Sequence, residues 1–243
     1  MARGRRLGVF RALAGNKGLR RVVAGYALFV LTEYSVWIAM LVYAYSRGGA
    51  AIAGVVALAQ LVPAALLAPV FAALADRRSP VVLLAGGYLV QAAGMGATAA
   101  AVAGGVPIAA YAAAVVASTA VTATRPAQCT LIPSLAATPD QLTAANVVVA
   151  WVEAAGIAAA GALTGLLIWS GGVAGVFGVC AALGAVAALL VFRLRVPALA
   201  APAGDAPKVT AGLSASVRLA AGQPRLRLML TLLTAEAAVV GAL

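Results

Sequence analysis

The chain has 243 residues, 64% of them hydrophobic and 9% charged, with a mean hydropathy of +1.05. Soluble domains run nearer roughly 45–50% apolar and about 25% charged. A polar shell around a single core cannot be built from so few polar residues, so the solvent must be lipid; a cytosolic enzyme, a disordered chain and a secreted disulfide scaffold are excluded.

The first element in chain order, residues 1–21, is basic: Arg3, Arg5, Arg6, Arg11, Lys17, Arg20 and Arg21 precede the first long apolar run. No small-residue cleavage site follows a short apolar core, so this is expected to be a cytoplasmic amphipathic arm rather than a removable signal peptide. Crossing the hydrocarbon takes about 20 apolar residues. Residues 22–46, 50–75, 81–103, 108–130, 143–170 and 173–192 each meet that length, which predicts a six-helix bundle over 22–192. Their connections carry turn residues at 47–49, 76–80, 104–107 and 170–172, with a longer link at 133–141. Residues 193–225 hold Pro197, Pro202, Pro207 and Pro224 with Gly204, Asp205 and Lys208, and read as a flexible cytoplasmic linker. A seventh apolar run begins at Leu226 and continues to Leu243, as if opening a second bundle that a longer protein, or another chain, would complete. The fold expected is therefore an all-α polytopic membrane protein, six helices plus the start of a seventh.

The net charge of +11 lies in short clusters between the apolar runs, which fits membrane orientation and not nucleic-acid binding. With the protein placed in the cell's inner (plasma) membrane and its N-terminus in the cytoplasm, every cation but Arg47 falls on or near the inner side. Arg11, Gly15, Asn16, Leu19 and Arg20 recur as Arg218, Gly222, Gln223, Leu226 and Arg227, each set just before an apolar run. This is either a chance of composition or a parallel repeat of the kind some secondary transporters use. Cys129 and Cys180 read as small buried hydrophobes, and the absence of histidine removes histidine-ligated metal and Ser/His/Asp chemistry. No G-x-x-x-x-G-K loop is present for nucleotide-driven work. An enzyme is not expected, nor any cofactor.

Glu33 and Glu153 carry more information, because a carboxylate in the bilayer interior is expensive. Each is expected near mid-depth. Tyr26, Val30, Glu33 and Trp37 follow a three-to-four spacing and share one face of the first span, expected to line the bundle interior. Each glutamate is either a titrating group or a permanently protonated one that hydrogen-bonds a neighbouring helix. Arg125, nearer its helix's cytoplasmic end, either snorkels or pairs with a carboxylate. Gln60 and Gln91 offer polar contacts to a substrate or between helices. Gly156, Gly161 and Gly165 form a stripe of small residues, for close helix packing or for a hinge. In the turn at 76–80, Asp76, Arg77 and Arg78 would brace neighbouring helices and form a gating loop.

Several segments carry a resemblance. Leu74-Ala75-Asp76-Arg77 resembles the centre of the loop signature of the major facilitator superfamily, and Arg125-Pro126-Ala127-Gln128-Cys129 is similar to its R-x-x-q-G, with Cys129 in place of glycine. Leu131-Ile132-Pro133 with Leu142-Thr143-Ala144-Ala145-Asn146, and Gly161-Ala162-Leu163-Thr164-Gly165, look like the exporter-type branch that includes siderophore and macrolide efflux proteins. The resemblance implies the N-terminal half of a secondary transporter, read here as exporting a small amphipathic compound against protons; depth and helical spacing, and not the resemblance, make Glu33, Glu153, Arg125, Trp37 and Tyr26 the candidates for the substrate or proton site. Its implied partners are the bilayer, the small-molecule substrate and a second six-helix half. The competing expectation is a membrane anchor or receptor module serving a soluble signalling domain, which would have no need of Glu33 or Glu153.

Overall fold

A computed structural model describes residues 15–75, 78–194, 222–224, 227–229 and 231–232. The chain divides into two units, Met1–Leu199 and Ala200–Leu243. In the first, the described residues form four helices: α1 (Lys17–Ala75), α2 (Pro80–Ala103), α3 (Pro107–Leu135) and α4 (Pro139–Phe192). All four are long and apolar enough to cross a membrane. The expected count of six helices plus a seventh is not matched.

The difference lies at two places where the chain turns without leaving the helical ladder. α1 has 59 residues and α4 has 54; at ~1.5 Å per residue each would run to roughly 80–90 Å if straight, far beyond the ~30 Å of hydrocarbon. Both are bent back on themselves. In α1 the backbone is non-helical at Gly48 and Gly49, and in α4 at Gly172. Gly49 and Gly172 have φ of 63° and 66°, a region closed to most residues with a Cβ. The reversal is visible in the packing: Ala44 and Val56, on either side of the α1 break, share one apolar cluster, and Ala145 and Ala188, on either side of the α4 break, share another. Because no polar loop separates the arms, the turn residues at 47–49 and 170–172 became kinks inside two helices.

Small residues set the interhelical distances. On α3, Ala110, Ala114, Ala117, Ala120, Ala123, Ala127 and Leu131 recur every three or four positions and are all buried. A Cβ on Gly94 of α2 would lie 2.9 Å from that of Ala117, and one on Gly184 of α4 would lie 3.2 Å from that of Ala92. Large apolar side chains point outward instead, Leu66, Ile108 and Trp169 being 72%, 82% and 85% exposed. In water such surfaces would aggregate; in lipid they are the solvated face. Cys180 is buried as expected, whereas Cys129 is exposed, since it stands with Thr130 on the outward side of α3.

The two ends of the bundle are tied differently. At one, Asn16 accepts from the backbone N–H groups of Gly18 and Leu19 at 3.1 and 3.2 Å, and donates through Nδ2 to the Leu135 carbonyl at 2.9 Å and to Gln141 Oε1 at 3.1 Å. It thereby caps α1 and fastens it to the turn between α3 and α4. At the other, the Arg47 guanidinium lies 4.0 Å from the centre of the Tyr43 ring, whose edge meets Tyr111.

In the second unit, residues 222, 224, 227–229 and 231–232 are helical, and the Arg227 N–H donates to the Gln223 carbonyl at 3.1 Å. Its counterpart in the sequence repeat, the Arg20 N–H, donates to the Asn16 carbonyl at 3.0 Å. The arm over 1–14, most of the linker and most of the seventh apolar run lie outside the described residues.

Candidate functional site

Three helices each bring one charged side chain to a common point. Glu33 comes from the first arm of α1, Arg125 from α3 and Glu153 from the first arm of α4. Arg125 Nη2 donates to Glu33 Oε2 at 3.0 Å, and Nη1 donates to Glu153 Oε1 at 3.2 Å. The second oxygen of Glu153 accepts from the Tyr26 hydroxyl at 3.2 Å. The guanidinium, a planar fork of donors, thus bridges two carboxylates, a task the single point charge of a lysine ammonium would perform less well. Arg125 pairs with both carboxylates.

Local sequence explains the arrangement. Tyr26 and Glu33 lie two turns apart on one face of α1, with buried Val30 between them, so that face is directed inward as its spacing predicts. Pro126 withholds the N–H that would bond the Thr122 carbonyl, which loosens α3 where Arg125 leaves it. On α4, Gly156 lets the helix approach α1: a Cβ there would lie 2.7 Å from Val30 Cγ1. One turn on, the Ser35 hydroxyl donates to the Ala160 carbonyl at 3.5 Å and the Thr164 hydroxyl to the Ser35 carbonyl at 3.3 Å. The contact stripe is therefore Gly156, Ala160 and Thr164. Gly161 and Gly165 lie one position round the helix, exposed, with nothing within 4 Å of where a Cβ would stand, so the expected close packing does not occur there.

Beside the charges lies a cavity of about 390 Å³. Glu33, Trp37 and Arg125 line it; Tyr26 and Glu153 do not, and reach it only through Arg125. The walls are otherwise mostly apolar, including Val36, Leu61, Met95 and Phe177, with polar groups from Gln60, Gln91, Ser118 and Thr122. Ser118 donates to Gln60 Oε1 at 2.8 Å, a hydrogen bond from α3 to the second arm of α1. Gln60 thus serves interhelical bonding and the cavity wall together. Ser118 had no distinguishing mark in the sequence other than its place about two turns before Arg125.

Asp76 and Arg77 of the expected gating loop lie outside the described residues; Arg78 is exposed, and its N–H donates to the Leu74 carbonyl at 3.0 Å. Among the described residues no cluster of His, Cys, Asp or Glu is suited to hold a metal.

Helices of membrane-crossing length among the described residues, with a bridged charge cluster beside a cavity, have the architecture of a polytopic membrane transport protein. The sequence model of the Major Facilitator Superfamily matches residues 22–243, and the chain belongs to that family of membrane transporters. No curated protein and no solved structure matches it.

Proposed function

We propose that the protein is a proton-coupled secondary transporter that exports a small amphipathic compound from the cell across the plasma membrane by alternating access, with its N-terminus in the cytoplasm and a second six-helix half completing the substrate path. The observation that carries this reading is Arg125 shared between Glu33 and Glu153 at the edge of the cavity. One guanidinium can balance only one of two carboxylates, so the cluster holds a site where a proton is gained and lost. Glu33 is the exchanging group because it alone of the two glutamates lines the cavity. Glu153, held by Arg125 and Tyr26, keeps Arg125 in position. The exporter-type segments around Arg125 and Gly161 support the direction of transport, and Asp76 with Arg77 and Arg78 would brace the helices between the inward- and outward-open states. A membrane anchor would have no use for three ionisable groups collected beside an internal cavity.

The reading is tested in vesicles containing the full-length protein. An imposed pH gradient should drive accumulation of substrate, and collapsing that gradient with a protonophore should end it. Accumulation that follows a sodium gradient and ignores pH would overturn proton coupling.

A further inference from the structure

At the end of the bundle where α1 begins and α4 ends, cations gather over an apolar recess. Lys17, Arg20, Arg21 and Ala24 are spaced three or four apart, share one face of α1 and are all exposed. With Leu190 of α4 they line a recess of about 460 Å³. The two helices touch beside it: a Cβ on Gly25 would lie 3.3 Å from Val191 Cγ2 and 3.6 Å from the Ala187 carbonyl oxygen. Arg21 reaches from one helix to the other, its Nη1 donating to the Arg193 carbonyl at 3.4 Å. Arg193, one turn beyond Leu190, adds a further cation at the same end.

No carboxylate lines this recess, and among the described residues neither Lys17 nor Arg21 forms an ion pair. The adjoining sequence is no source of one. Residues 1–21 hold seven cations and no acid, and residues 193–225 set Asp205 against Arg193, Arg195, Lys208, Arg218 and Arg225. The complementary charge therefore belongs to a ligand. Below the cations the surface is apolar: Ala24 and Leu190 line the recess, and Val186, one turn before Leu190, is exposed beside Leu189. A fitting molecule is anionic at one end and apolar along its body. The cations stand where the first apolar run begins, at the level of lipid headgroups, so a phospholipid meets both conditions at once. A free inorganic anion would use the upper half of the recess alone.

We propose that this recess binds one anionic phospholipid, its phosphate seated between Lys17 and Arg21 and an acyl chain lying over Ala24 and Leu190. The Arg21 guanidinium has five N–H donors and spends one on the Arg193 carbonyl, which leaves others for phosphate oxygens. The bound lipid ties the start of α1 to the end of α4 and so stabilises the bundle. The site shares no residue with the cavity or with Glu33, Arg125 and Glu153, so it stands or falls apart from the proton-coupling reading.

The test titrates the purified full-length protein, in a neutral detergent, with dioleoyl phosphatidylglycerol, reading bound lipid by native mass spectrometry and stability by thermal unfolding. Saturable binding and a raised unfolding midpoint are expected, both weakening as salt is added. Dioleoyl phosphatidylcholine, with the same chains and no net charge, should do neither. Glycerol 3-phosphate, which has the charge and no chains, should not bind at the same concentration. Lys17 and Arg21 are exposed, so the double variant Lys17→Gln/Arg21→Gln keeps the fold and should bind phosphatidylglycerol about thirtyfold more weakly. Arg47→Gln, at the opposite end of the bundle, should bind it as the parent does. Equal binding of the two lipids, or parental affinity in the double variant, overturns the site. Glycerol 3-phosphate binding as tightly as the lipid would mean a site for a free anion, and overturns the lipid assignment.

Discussion

Arg125 Nη2 lies 3.0 Å from Glu33 Oε2, joining residues 92 positions apart on helices that the turn at 76–80 and the whole of α2 separate in sequence. The same guanidinium holds Glu153, so α1, α3 and α4 are linked through one side chain.

The first prediction follows from that sharing. Arg125→Gln leaves two carboxylates facing one another and should lower stability by about 1–3 kcal/mol, less than for a fully buried pair because the groups are partly exposed. Adding Glu153→Gln removes the excess negative charge and should restore more than half of the lost yield and thermal stability. Equal stability of the single and double variants, measured by thermal unfolding in detergent, would show that the pairing is incidental.

The helix contact at Gly156 makes a second, steric prediction. Val30 is fully buried, so it cannot retreat from a Cβ placed 2.7 Å from its Cγ1. Gly156→Ala should therefore cost about 1–3 kcal/mol, and Val30→Ala in the same chain should recover part of it. Gly161→Ala and Gly165→Ala meet open space and should stay within about 0.5 kcal/mol of the parent. The opposite ranking of the three glycines in thermal unfolding would contradict the observed register of α4 against α1.

These glycines also show where sequence reading stops. Helical spacing on α1 placed Tyr26, Val30, Glu33 and Trp37 on one face, and the structure brings Tyr26 and Glu33 to the same charge cluster, because a helix face is a local property. The partner of that face is not local: Gly156, Gly161 and Gly165 have the same chemistry, and only the rotation of α4 decides that Gly156 touches Val30 while the other two do not. Arg125 illustrates the same limit. Its charge near a helix end left snorkelling and pairing both open, and that Glu33 and Glu153 share it depends on the packing of three helices. The helix count failed for a different reason. Apolar runs were evident, but two turns made almost entirely of small residues, at Gly48–Gly49 and Gly172, bend the chain within a helix and leave no separating loop.

A third prediction concerns the cap. Asn16 accepts two hydrogen bonds from the start of α1 and donates two to the neighbouring turn. Asn16→Ala should destabilise by about 1–3 kcal/mol, and Asn16→Ser, which retains a cap but lacks the reach to Leu135 and Gln141, should fall between. An unfolding midpoint for Asn16→Ala equal to that of the parent would show that these bonds contribute nothing.

Orientation gives a fourth. In a background with Cys129→Ser, a cysteine at Ser79 should be shielded from an impermeant thiol reagent applied to intact cells, and a cysteine at Val106 should be labelled; both positions are exposed on the protein. The charge asymmetry of the sequence requires this direction. Labelling at Ser79 and protection at Val106 would invert the topology.

The most direct test of the central claim compares two measurements on Glu33→Gln in vesicles containing the full-length protein: accumulation of substrate against its gradient under an imposed pH difference, and exchange of labelled for unlabelled substrate at equal concentrations. Glutamine keeps the volume and a hydrogen bond but cannot titrate. Accumulation should fall to the level of empty vesicles while exchange remains measurable, with Glu153→Gln losing less of the accumulation. Accumulation by Glu33→Gln equal to that of the parent would mean that the driving proton does not pass through Glu33, and the account would be wrong at its centre.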